Sequence, residues 1–233
     1  MWELLREFRA ALELLASGDA ELWGIVGRTL AITGTSTAIS AVVALPFGAW
    51  LGASLRPRRG LLVGLMSTGM ALPPVVVGLF VALLLERDGP LGALGWLYTP
   101  QAMVVAQVII ATPVIASVAA LSFEQADPEL GAQLRALGAG RARATLLVAR
   151  EIRRSLVVAV LAGFGSVMAE AGAALIVGGN IAGQTRVMTT AIVLGTSQGD
   201  YNGALALGMI LVALTAFVNV AAALTRPPRT GVA

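Results

Sequence analysis

The chain contains no histidine, no cysteine and no lysine, so all 16 of its basic residues are arginine. Without His or Cys, the usual zinc, copper, haem and iron–sulfur ligand sets cannot be assembled. Ser-His and Cys-His nucleophilic machinery is excluded too, and the missing lysine removes Ser-Lys pairs and the G-x-x-x-x-G-K-[ST] phosphate loop. If ATP powers this protein, another subunit must hydrolyse it. No catalytic residue, metal ligand or directly bound cofactor is therefore expected. Charge is scarce as well, at 12% of 233 residues against about a quarter in ordinary soluble domains. What fills the chain is apolar: 57% hydrophobic residues with a mean hydropathy of +0.84. Such a chain needs lipid around it. The arginine excess reads as cytoplasmic loops of a membrane protein and not as a nucleic-acid surface.

A helix crosses the hydrocarbon core with about 20 apolar residues, and the sequence offers five such runs. Residues 29–55 carry no charge and are closed by Arg56, Arg58 and Arg59; residues 60–85 are closed by Glu86, Arg87 and Asp88. Pro73-Pro74 near the centre of the second run predicts a kink or break there. Gly89-Pro90 and Thr99-Pro100 mark a loop before a third span over about 101–123. A fourth runs from Ser155 to about Val177, and a fifth from about Tyr201 to Thr225. The expected fold is all-α and integral to the membrane. It divides into an N-terminal segment 1–28, a transmembrane region 29–225 and a tail 226–233.

In the N-terminal segment Leu5, Phe8, Leu12 and Leu15 recur at helical spacing while Glu3, Glu7 and Glu13 fall elsewhere. Two readings fit: an amphipathic helix on the membrane surface, or a helix packed against the spans. The acidic residues argue against a cleaved signal peptide. With five spans, the loops at 56–59 and 124–154 and the tail share one side and hold 11 of the 16 arginines; Arg6, Arg9, Arg28, Arg87 and Arg186 lie opposite. By the positive-inside rule the first set is cytoplasmic, which puts the N-terminus outside and the C-terminus inside.

The longest polar interval, 124–154, is EQADPELGAQLRALGAGRARATLLVAREIRR. Asp127-Pro128 can start a helix, Gly138-Ala139-Gly140 can end it, and Leu130, Leu134 and Leu137 give it an apolar stripe suited to a partner's groove. An ordinary solvated loop is the plainer reading, but the stripe and glycines favour docking.

This stretch resembles the cytoplasmic coupling loop of type I ABC importer permeases, whose pattern is E-A-A, three residues, G, nine residues, I, one residue, L-P. Gly138 matches the glycine and Val148 falls at the isoleucine; Ala132-Gln133-Leu134 stands in for E-A-A and Arg150-Glu151 for L-P. The resemblance places Ala132, Gln133, Leu134, Arg135, Leu137, Gly138 and Ala139 against an ATPase, although the family's glutamate contact is missing. GMALPPVVVGL, the GPLG and LYTP linker, and AEAGAALIVGGNIAGQTRVMTTAIVLGTSQGDYNGALALG are similar to segments of molybdate- and especially tungstate-type permeases. The resemblance implies a homodimer in the inner membrane of a prokaryote, two cytoplasmic ABC ATPase subunits carrying ATP and magnesium, and an extracytoplasmic oxyanion-binding protein. It implies no nucleic acid.

Candidate path or gate residues follow from chemistry. Glu170 is the only acid inside an uncharged run, where an ionisable group is costly and faces a cavity or partner. It reads either as a gate contact, with Arg186 or backbone amides, or as a purely structural hydrogen bond. Asn180, Gln184, Thr185 and Arg186 follow the fourth span on the outer side. There a guanidinium can attract an oxyanion, contact the binding protein, or anchor a turn. Pro73 and Pro74 line the path, relieve packing, or both. A secondary anion transporter or channel is the rival class, but neither paired intramembrane charges nor an inverted repeat is visible.

Overall fold

The computed structural model describes residues 2–52, 59–126, 133–134 and 136–225, and all regular structure among them is helical. The helices are α1 (Trp2–Ser17), α2 (Ala20–Gly52), α3 (Arg59–Ala71), α4 (Pro74–Leu85), α5 (Pro100–Glu124), α6 (Arg141–Glu151), α7 (Arg153–Met168), α8 (Gly172–Gly178), α9 (Met188–Gln198) and α10 (Tyr201–Thr225). Ala132 and Arg135 of the coupling loop, Arg56, Arg58, Asp127, Pro128, Leu130 and the tail 226–233 lie outside the described residues.

Among the described residues, three helices are long and apolar enough to cross a membrane on their own: α2, α5 and α10. Two more crossings are available if α3 with α4, and α7 with α8, each count as one bent span, with bends of 90° and 64°. The first bend falls at Pro73-Pro74, as the sequence predicts. Proline lacks the N–H that would continue the helical ladder, and it drives the residue before it out of helical geometry. Pro73 is extended at φ −61°, ψ 124°, and Pro74 opens α4 at the position where proline is tolerated. The second bend divides the run 155–177, which reads as continuous in sequence.

The centre of the fold is the α2–α5 pair, joined by a stripe of small residues. Ser36, Ser40, Ala44, Gly48 and Gly52 recur every fourth residue, and all but the half-buried Gly52 are buried. A Cβ on Gly48 would sit 2.8 Å from both the Ala116 carbonyl oxygen and Ala119 Cβ, and one on Gly52 would collide with the Ala120 carbonyl. This is the small-xxx-small logic of helix association in lipid, where backbones approach closely and polar side chains bond across the gap. Ser36 Oγ donates to Gln107 Oε1 at 2.7 Å inside this seam. The pairings also set direction. Ser36 lies at Gln107, Gly48 at Ala116, and Gly52 at Ala120 and Phe123, so α2 and α5 run parallel.

The remaining elements fit around that pair. Gly69 of α3 packs on Pro113, while Val77, Val81 and Leu85 of α4 cluster with Ala102, Met103 and Ala106, so α3 and α4 together run antiparallel to α5. The same holds for α7 and α8, with Gly163 at Ile115 and Gly178 at Met103. Helix α2 starts at Ala20, nine residues before the uncharged run, and its 33 residues span about 50 Å, well beyond a hydrocarbon core of about 30 Å. The N-terminal α1 packs on α10 through Ala11, Leu14 and Leu15, whereas Phe8 and Leu12 stay exposed. The reading of a helix packed against the spans is thus met on one side, while the opposite side, with Phe8 and Leu12, stays exposed.

Candidate functional site

The two helix breaks lie against one another. A Cβ on Gly172 would collide with Val75, and one on Gly78 would meet Ala173 Cα at 2.6 Å, so the half-helices α4 and α8 are in backbone contact from their first turns. They run parallel, each starting at its own break, with Val77, Val81, Ala173, Ala174 and Val177 filling the space between them and α5. Glycine at 78 and alanine at 173 permit the approach; larger side chains would hold the breaks apart.

Glu170 makes the second break. Its side chain is 9% exposed, with Oε1 accepting from Ala173 N at 2.8 Å and Oε2 from Ala174 N at 3.3 Å. A carboxylate satisfying the first N–H groups of α8 is a capping interaction, and it ends the ladder of α7 by restarting a new helix. The Glu170 carbonyl accepts from Thr189 Oγ1 at 2.9 Å. Of the sequence alternatives, backbone amides are therefore the partners. Arg186 lies elsewhere, with Nη1 3.5 Å from Glu21 Oε1.

Asn180, Thr185 and Arg186 belong to a compact loop between α8 and α9. Gly179, Asn180 and Gly183 take positive φ (67°, 52° and 75°), where glycine and asparagine are the residues of least strain. One carbonyl, that of Ile181, accepts from the N–H groups of Gln184, Thr185 and Arg186. The fully buried Thr185 accepts from Ile181 N at 2.9 Å and donates to the Gly178 carbonyl at 2.5 Å. Asn180 donates through Nδ2 to the Thr190 carbonyl at 3.3 Å. The loop is also fastened to α2: Arg28 Nε donates to the Arg186 carbonyl at 3.3 Å, and Met188 N donates to Thr29 Oγ1 at 2.9 Å. Arg186 borders a cavity of about 240 Å³ shared with Asp19, Glu21, Gln198 and Asp200. Three carboxylates around one guanidinium make this cavity a poor collector of anions.

Sequence reasoning missed α9, assigning no helix between the fourth and fifth spans. The signal was there in part. Thr190 exchanges hydrogen bonds with Val187 at the start of α9, and Gly199 at φ 79° ends it, with the N–H groups of Gly199 and Asp200 returning to the Gly195 carbonyl. In the polar interval 124–154, Gln133, Leu134 and Ala136 are helical. Gly138 at φ 86° closes the turn, with Leu137 N bonded to the Gln133 carbonyl and Ala139 N to that of Leu134. Leu137 is 85% exposed, a large apolar side chain offered to whatever lies beyond.

Residues 44–228 match the family described as the binding-protein-dependent transport system inner membrane component. The chain belongs to that family. It is thus a multi-pass inner membrane component of a transport system that depends on a binding protein. Among relatives of this transport family, it is 38% identical to the tungstate uptake system permease protein TupB of Peptoclostridium acidaminophilum, over 91% of this chain and 93% of that one. It is also 38% identical to a probable anion ABC transporter permease protein of Haloferax volcanii, over 94% and 99% of the two chains. A crystal structure of an amino acid ABC transporter with histidines shares the fold, with a TM-score of 0.64 at 17% identity over 91% of this chain and 95% of that one.

Proposed function

We propose that this chain is the membrane-spanning subunit of an ATP-driven importer of a tetrahedral oxyanion, tungstate first and molybdate second. The observation that carries this reading is the likeness to a tungstate uptake permease over more than nine-tenths of both chains. Energy comes from a separate ATPase, which meets the cytoplasmic turn at Gln133–Ala139, where Leu137 projects beside the left-handed Gly138. An extracytoplasmic binding protein delivers the anion.

The chain crosses the membrane five times. Because α2 and α5 are parallel, the segment between them must return across the bilayer, which favours a broken span over a re-entrant loop for α3–α4; the antiparallel course of α7–α8 argues the same way. The N-terminus is then outside and the arginine-rich loops inside, as arginine placement requires. Non-helical backbone at membrane depth is tolerated only against protein or in a water-lined cavity, and Pro73 at the first break is exposed. We therefore place the path along the Pro73-Pro74 and Glu170 breaks, facing a second copy of the chain. Asn180, Thr185 and Arg186 hold the outer loop at its mouth, and the Glu21 pairing makes Arg186 an anchor for that loop.

The test is vanadate-sensitive ATP hydrolysis by the chain reconstituted with its ATPase and binding protein, with tungstate, molybdate and sulfate added in turn. Stimulation at the lowest concentration by tungstate is expected. Stimulation by another anion corrects the substrate, and failure to copurify with any ATPase restores the ion-coupled carrier.

A further inference from the structure

Residues 141–154 carry five arginines, Arg141, Arg143, Arg150, Arg153 and Arg154, against one acid, Glu151. All five are exposed, and none forms an ion pair among the described residues. Helix α6 packs chiefly against α7 and buries only Ala144. Its free face is not purely polar. Arg143, Leu146, Leu147 and Arg150 follow helical spacing, and Leu146, flanked by the two arginines, is 55% exposed. A single residue, Ile152, separates α6 from α7, so Arg150 lies within about one helical turn, some 5 Å, of the start of a membrane segment that opens with Arg153 and Arg154. Exposed Trp50 marks the same end of the bundle: it stands beside Phe47, which packs with Leu156 of α7 around Ala119 of α5. Tryptophan and arginine at the end of a span mark headgroup depth.

We infer that the α6–α7 corner is a binding site for anionic phospholipid headgroups of the cytoplasmic leaflet, with Leu146 inserted at the acyl boundary and Arg143, Arg150, Arg153 and Arg154 on the phosphates. A basic amphipathic helix with an apolar residue on its basic face lies in the interface plane. The guanidinium fork matches phosphate oxygens in pairs, which suits an all-arginine patch. Basic residues near an anionic surface add attraction residue by residue. The ATPase is the competing occupant, but the protein-facing feature of this loop is the Leu137–Gly138 turn, three residues before α6. This inference rests on the orientation proposed above, since the anionic leaflet must lie on the arginine-rich side.

The chain has no cysteine, so Leu146→Cys, labelled on the purified chain before the other subunits are added, carries one environment-sensitive fluorophore per copy without competing labels. The probe is the complete transporter in nanodiscs of phosphatidylcholine with increasing phosphatidylglycerol. Expected are a blue-shifted label emission quenched by lipid-borne nitroxide, and a several-fold rise in ATP hydrolysis as phosphatidylglycerol increases. Arg143→Gln with Arg150→Gln abolishes both the rise and the blue shift, while the variant retains its ATPase subunit through purification in detergent. A label that stays water-exposed at every lipid composition overturns the proposal. So does loss of the ATPase subunit from the double variant in detergent, which would assign these arginines to protein docking. Label insertion is read without transport or ATP, so a wrong substrate or energy source leaves that arm intact.

Discussion

Replacing Glu170 with alanine strips two buried N–H groups, those of Ala173 and Ala174, of their acceptor. A buried donor left unsatisfied costs about 1–3 kcal/mol, and loss of an N-terminal cap costs typically about 1 kcal/mol. Partial relaxation at the break reduces the sum, so Glu170→Ala should destabilise the chain by about 2–4 kcal/mol, a fall in Tm of roughly 4–16 °C for a chain of this size. Glu170→Gln keeps one acceptor oxygen and should lose about half as much, because only one of the two bonds can be rebuilt. The assay is thermal unfolding of the detergent-purified protein, followed by tryptophan fluorescence. The same variants in the reconstituted transporter should reduce turnover in the same order. If Glu170→Ala melts within about 1 °C of the parent, well below the fall expected for a lost buried acceptor, the carboxylate does not hold the break. The bend must then be set by packing at Val75 and Gly172 alone.

Gly48→Leu should abolish assembly of the α2–α5 pair or cost at least about 1–3 kcal/mol by overpacking, read as loss of monodisperse protein on size exclusion, because the added side chain meets Ala116 and Ala119. A double-mutant cycle of Ser36→Ala with Gln107→Leu should return a coupling of about 0.6 kcal/mol, and not above about 1.7 kcal/mol, as for hydrogen bonds between membrane helices. Leu137→Asp should leave stability within about 0.5 kcal/mol, since the side chain is exposed, yet remove the ATPase subunit from pull-downs.

The membrane character, the five apolar runs and the first break were legible because charge and proline act locally: Pro73-Pro74 interrupts a helix wherever it sits. The second break was not, because Glu170 shapes it through Ala173, Ala174 and Thr189, and a lone acid in an apolar run reads equally as a gate or a cap. Arg186 was legible as a charge, but its neutralisation by Glu21 joins residues 165 positions apart in the chain. No local pattern carries that. Helix α9 escaped because its start depends on Thr29 from another helix meeting Met188 N. The small-residue stripe from Ser36 to Gly52 was in plain sight at four-residue spacing, but its meaning depends on the matching alanines of α5.

The contact between the two breaks has a consequence for how this subunit can move and how its sequence can drift. With Gly78 on Ala173 and Val75 on Gly172, neither bend can open without dragging the other, so the two half-helices share one pivot, like the blades of a pair of scissors. Such a joint tolerates change only in matched steps. A methyl group gained at position 78 calls for one lost at 173, and related chains should exchange bulk between these positions while keeping the total nearly constant.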